Sequence, residues 1–137
     1  MNKKGFSLIE LLIVIVIIGI IAIIAVPSLL ESKKAAQHTA TIAMLRNIGS
    51  AQVAYSSKIG NNGNYAPSLV ELQQQGFLDN RFSSATANID GFQFSGTAAG
   101  GLFSISAVGQ GPNDGSSYYL NHSLVVFDQN GNPVNAN

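Results

Sequence analysis

Few side chains in this 137-residue sequence have a type and spacing that could do chemistry. There is no cysteine, so thiol catalysis, disulfides and thiolate metal sites are out of reach. His38 and His122 have no second His, Asp or Glu at metal-ligand spacing, and no Ser/His/Asp set is recognisable around either. Asp128-Gln129-Asn130-Gly131-Asn132 opens like a calcium loop, but the bidentate Glu that would close it is missing. Pro112-Asn113-Asp114-Gly115 offers one carboxylate, and turn chemistry accounts for both stretches. No glycine-rich segment leads into a helix and lysine as a phosphate loop does. Asn121-His122-Ser123 fits an N-glycosylation triplet, a pattern short enough to arise by chance. No catalytic residue, metal or cofactor is expected.

One carboxylate stands out by its surroundings. In the stretch KKGFSLIELLIVIVIIGIIAIIAVPSLLES, Glu10 sits at the head of an apolar run, with Phe6, Leu8 and Ile9 on its other side. Residues 11–26 contain thirteen Leu, Ile or Val, interrupted only by Gly19, Ala22 and Ala25. On the membrane-insertion scale these contribute about −4 to −8 kcal/mol, whereas a central carboxylate costs about 2.5–3.5 kcal/mol. Glu10 lies near one end and costs less, so insertion is favoured. Residues 6–30 read as one helix would be about 37 Å long, enough for a ~30 Å hydrocarbon layer. Lys3 and Lys4 set the N-terminus on the cytoplasmic side. A cleavable secretory signal fits poorly, because Pro27 stands where cleavage would fall. A plain single-span anchor leaves Glu10 unexplained.

Lys4-Gly5-Phe6-Ser7-Leu8-Ile9-Glu10-Leu11 resembles the processing motif of type IV prepilins and of type II secretion pseudopilins. The resemblance covers some thirty contiguous residues, including Pro27. It implies a leader of residues 1–5, cut by a prepilin peptidase between Gly5 and Phe6, with N-methylation of the new terminus at Phe6. It also implies that Glu10 pairs with the N-terminal amine of a neighbouring subunit and so sets assembly register. Physical chemistry agrees: a lone charge in lipid is costly, and two opposite charges that meet there are far less so. The bland alternatives for Glu10 are snorkelling to the headgroups or pairing with its own chain's amine. Losing Lys3 and Lys4 with the leader takes the seven basic side chains to five, against seven acidic ones, so the processed chain is mildly acidic. Gly19 and Pro27 weaken helix and mark where a kink, or melting inside a filament, would occur.

Beyond the membrane run the pattern becomes an amphipathic helix over about residues 32–59. Ile42, Met44, Leu45, Ile48, Val53, Tyr55 and Ile59 project onto one broad face. The other face, with Ala36, Ala40, Ala43 and Ala54 among Arg46, Asn47 and Ser50, suits packing against other helices. Residues 60–64 are a loop by composition, and Ser68-Leu69-Val70-Glu71 is a capping box for a short helix that should stop at Gly76. Phe92 and Phe94 alternate with Gln93 and Ser95, and Phe103, Ile105 and Ala107 alternate with Ser104 and Ser106. Residues 97–101 should connect these strands, and residues 118–120 and 124–127 should form a further pair.

The expected fold class is α+β: a long N-terminal helix, half transmembrane and half amphipathic, packed on a small antiparallel sheet. The expected division is leader 1–5, assembly helix 6–30, amphipathic helix 31–60 and globular region 61–137. This is also the pilin fold that the resemblance implies. The expected role is a structural subunit of a type IV pilus-like filament, not an enzyme. Its partners would be copies of itself, the bacterial inner membrane, the prepilin peptidase and the pilus assembly machinery. Two other roles stay open, a type II secretion pseudopilin and a monomeric membrane-tethered binding module. Nucleic acid is not an expected partner, because Lys33, Lys34, Arg46, Lys58 and Arg81 are scattered without an aromatic platform. Many pilins carry a C-terminal cysteine pair. This chain has none, so packing and hydrogen bonds must hold its last strand.

Overall fold

The computed structural model describes residues 5–61 and 63–134. They fall into two compact units, one through Ala35 and one from Ala36 onward. Helix α1 (Leu8–Lys58) contributes residues to both. It begins at Leu8 rather than Phe6, because Ser7 occupies the capping position: its carbonyl accepts the Leu11 N–H at 3.3 Å. The helix runs unbroken through Gly19 and Pro27. Proline removes one donor from the ladder, and here the turns on either side persist without it.

In the second unit, α1 from Ala36 on and a short helix α2 (Leu69–Gln74) enclose a core with a five-stranded antiparallel sheet. The strands are β1 (Ala87–Ile89), β2 (Phe92–Ala99), β3 (Leu102–Gly109), β4 (Ser117–Asn121) and β5 (Val126–Asp128), and they pair in sequence order. Phe82, Phe92, Phe94, Leu45, Ile48, Leu69, Leu72 and Ile105 lie fully buried between helices and sheet. The alternation expected for β2 and β3 is observed, with Phe92, Phe94, Phe103, Ile105 and Ala107 all facing the core. Ser68 caps α2, its Oγ accepting the Glu71 N–H at 3.2 Å. The stop at Gly76 is a Schellman turn: Phe77 N–H donates to Leu72 O and Gly76 N–H to Gln73 O, with Gly76 at φ 78°.

The buried face of α1 differs from the expected one. Val53 and Ile59 are exposed, while Thr41, Gln52 and Ser56 are buried beside Leu45, Ile48 and Tyr55. The stripe 41-45-48-52-55 has regular helical spacing, but polar members disguise it from a reading that follows hydrophobicity alone. Gln52 is buried for a specific reason. Its Nε2 donates to Ala66 O at 3.1 Å and its Oε1 accepts Ala66 N–H at 2.8 Å, so one side chain satisfies both backbone groups of a buried residue. Replacing Gln52 by Leu is expected to leave that donor and acceptor unpaired and to cost about 2–3 kcal/mol. Urea denaturation of the purified full chain would measure it.

The strand boundaries also shift. Residues 97–99 belong to β2, and the connection shrinks to Gly100-Gly101, both at positive φ (60° and 78°). That is the two-residue turn whose twist matches a hairpin, so pairing can zip on to Ala99↔Leu102. Asp90-Gly91 makes the same kind of turn between β1 and β2. β1 has only three residues, too few to show a period of two in the sequence. β5 starts at Val126 rather than residue 124, because Leu124 has φ 62°, which no strand residue adopts.

The C-terminal strand is held without a disulfide. Val134 N–H donates to Val126 O at 2.7 Å, Asp128 N–H to Asn132 O at 2.9 Å, and Arg46 of α1 reaches Val134 O at 3.1 Å. His38, near the start of this unit, sits 2.7 Å by Nδ1 from the Tyr118 hydroxyl and edge-on to Phe92. Burial, and then the charge of Asp128, raise the Tyr118 hydroxyl above the ordinary tyrosine value.

Candidate functional site

Gly5, Phe6 and Ser7 precede the first turn of α1, and Phe6 is 86% exposed. A peptide bond between Gly5 and Phe6 thus lies outside hydrogen-bonded helix. Residues 1–4 of the expected leader, Lys3 and Lys4 among them, lie outside the described residues, as does Asn62 of the loop expected at 60–64. Glu10 is the third residue of the helix, and its Oε2 accepts the Ser7 N–H at 3.3 Å. The carboxylate therefore covers one of the four orphan donors at the helix start and sits favourably at the positive end of the macrodipole. Ser7-Leu8-Ile9-Glu10 has the spacing of a capping box, and that spacing is the local signal for this contact. The bond is long and uses one oxygen of a group with about four acceptor sites. Capacity remains for a cation.

From Leu8 to Leu30 every large apolar side chain of α1 is exposed, from Leu8 at 82% to Val14 at 46%. Gly19 and Pro27 lie on this stretch, also exposed. Its length and hydropathy suffice to cross a membrane, and none of the window is buried within the protein. Burying one Leu, Ile or Val side chain is worth about 1.5–3 kcal/mol. A surface of this composition is unstable in water and demands lipid or other protein.

The remaining candidates resolve into turn chemistry. Asp128 Oδ1 accepts the N–H groups of Asn130 and Asn132, each at 2.9 Å. The Asn132 N–H, ahead of that of Asn130, holds the Asp128 carboxyl below the ordinary aspartate value. A depressed pKa means that this carboxylate supports the loop above the unfolded pKa of about 3.9, and that the support fades as pH falls through the lower, folded value. Acid titration followed by NMR should move the Asn130 and Asn132 amide resonances together below about pH 4. Asp128→Asn should abolish that titration. In the Asn121-His122-Ser123 triplet, Asn121 Oδ1 accepts both the N–H and the hydroxyl of Ser123, at 2.9 and 2.6 Å. Among the described residues no three His, Cys, Asp or Glu side chains cluster as metal ligands.

Comparison with curated proteins found none that matches this chain. Residues 1–26 match the family described as the prokaryotic N-terminal methylation motif. That segment holds Gly5, Phe6, Glu10 and Gly19, and it opens a helix with an exposed apolar surface on an α+β protein. The chain thus carries at its N-terminus the prepilin-type motif of type IV pilins and pseudopilins, and this motif supports a pilin-like or pseudopilin-like protein.

Proposed function

We propose that the chain is the structural subunit of a type IV pilus-like extracellular filament. In this reading residues 1–5 are a leader, residues 6–30 the membrane and assembly helix, residues 31–60 the amphipathic helix and residues 61–137 the globular part. The precursor rests in the bacterial inner membrane, a prepilin peptidase cuts between Gly5 and Phe6, and Phe6 is N-methylated. The assembly machinery then moves the subunit from lipid into a helical homopolymer. Glu10 pairs with the Phe6 amine of a neighbour and sets the register. Gly19 and Pro27 are the points at which the helix can bend or loosen on assembly. The protein does no catalysis.

One observation carries the reading: the methylation motif leads directly into a helix segment whose large apolar side chains all lack cover within the chain. A monomer can satisfy that surface only in lipid. A filament lets it exchange lipid for copies of itself at small net cost, since both environments are apolar. The test is microscopy of material sheared from cells, joined to mass spectrometry of its N-terminus. Long filaments whose subunits begin at methylated Phe6 support the proposal. Cleaved subunits without surface filaments would assign the chain to the pseudopilins, and an uncut start without filaments would make it a plain anchored module.

A further inference from the structure

The solvent face of the sheet differs from an ordinary protein surface. Side chains of β2–β5 that point away from the core include Ser95, Thr97, Ser104, Ser106, Tyr119 and Phe127. Among the described strand residues, none that points this way is Asp, Glu, Lys or Arg. The sheet's one charged strand residue, Asp128, pairs with Tyr118, on the core side. Soluble surfaces are usually about 25–35% charged. An uncharged sheet face dense in hydroxyls favours an uncharged partner that offers hydroxyls in return.

Register organises this face. Ser95 pairs with Ser106, Ser106 with Tyr119, Tyr119 with Phe127, and Phe127 with Pro133. These five residues form one row across the strands. At one end the Ser95 and Ser106 hydroxyls bond each other at 2.8 Å. At the other, backbone pairing sets Tyr119, Phe127 and Pro133 in succession, Tyr119 being 42% exposed, Phe127 half-buried and Pro133 exposed, two aromatic rings and one saturated ring. The neighbouring row, Thr97-Ser104-Asn121, lines a shallow hollow of ≈ 320 Å³ with Leu102 and His122 at its edge. Strand spacing is about 4.8 Å, close to the rise of one pyranose unit along an extended glycan chain. Ring faces can take the C–H faces of successive sugars, while the hydroxyl and amide row takes their edges.

We propose that this face binds an extended, neutral polysaccharide lying along the row Ser95-Ser106-Tyr119-Phe127-Pro133. A protein partner fits less well, because interface cores are apolar and depleted in serine, whereas this row is serine at two of its five positions. The proposal does not depend on filament formation.

The experiment is co-sedimentation of the full chain, in a non-glycosidic detergent, with microcrystalline cellulose, and release by soluble cellohexaose. Wild type should sediment and be released. Tyr119→Ala should weaken binding roughly tenfold, since an exposed stacking platform is lost. Tyr119→Phe should keep most of it. Both variants should unfold at the wild-type temperature, as the side chain is half outside the fold. Failure of wild type to sediment, sedimentation that cellohexaose does not reverse, or full binding by Tyr119→Ala would each overturn the proposal. A wild type that ignores cellulose but loses self-association on Tyr119→Ala would assign the face to a second copy, and the proposal would equally fail.

Discussion

Glu10→Ala should insert in the membrane and lose its leader normally, yet yield at least about tenfold less filament than wild type. The variant removes a carboxylate from a segment that is apolar on every side, so insertion can only improve. Assembly is another matter. If Glu10 meets the Phe6 amine of the next subunit in a water-poor helix bundle, its loss strands a cation there. Breaking one partner of a buried ion pair costs about 3–5 kcal/mol. Every subunit added to the polymer would bear that cost, so a tenfold loss, which needs only about 1.4 kcal/mol, is a lower bound.

The structure adds a competing explanation, because Glu10 also accepts the Ser7 N–H of its own helix. A capping contact is worth about 0.5–2 kcal/mol and has nothing to do with a neighbour. Glu10→Gln separates the two. Glutamine keeps an oxygen for the Ser7 N–H but carries no charge for the amine. Filament yield from sheared cells, with precursor and mature subunit resolved by mass, reads both variants. Failure of Glu10→Gln as well as Glu10→Ala places the effect on charge pairing. Normal assembly of Glu10→Gln would move it to the helix cap, and normal assembly of Glu10→Ala would end the register role altogether.

The second large effect belongs to the globular core. Phe94→Ala is expected to destabilise the second unit by about 3–5 kcal/mol. Phe94 is fully buried on β2, which is paired on both sides, and its ring stands edge-on to that of Phe82 at 6.1 Å. A small domain has about 5–15 kcal/mol of stability in total, so this one change removes a large share. Phe94→Leu keeps most of the volume and should recover most of the loss. Tyrosine fluorescence during urea unfolding of the full chain in detergent is a suitable probe, since there is no tryptophan. The buried cluster is drawn from positions 45–126, outside the apolar 8–30 stretch, so leader removal should be unchanged in Phe94→Ala. A loss below about 1 kcal/mol would mean that the core relaxes around the cavity far more than a paired central strand should allow.

The features legible in the sequence have local causes, and the rest have distant ones. The processing motif, the apolar run, the Ser68 cap, the Gly76 stop and the alternation of Phe92/Phe94 and Phe103/Ile105/Ala107 all follow from neighbours within about one turn or one hairpin. Each rests on chemistry that a short stretch carries by itself: side-chain period, a capping oxygen, or a glycine at positive φ. Glu10 is legible in the same way as a charge out of place, and Ser7-x-x-Glu10 is an equally local signal.

Tertiary structure decided the rest. Nothing near Gln52 in sequence says that it belongs inside; Ala66, fourteen positions on, does so by offering a buried N–H and C=O. Val53 and Ile59 are exposed because the sheet lies under the stripe through Leu45, Ile48 and Tyr55, and a helix can turn only one stripe inward. Arg46 ties down the C-terminal tail through Val134, eighty-eight positions away. The row of serines and rings on the sheet exists only once four pairings fix the register of β2 to β5 and the tail. The sequence by itself thus determined the methylation motif, the apolar run and the helix caps, because each of these is written in contiguous residues. Which side chains it hides and which face it offers were decided by folding, because burial and cross-strand register belong to pairs of distant segments.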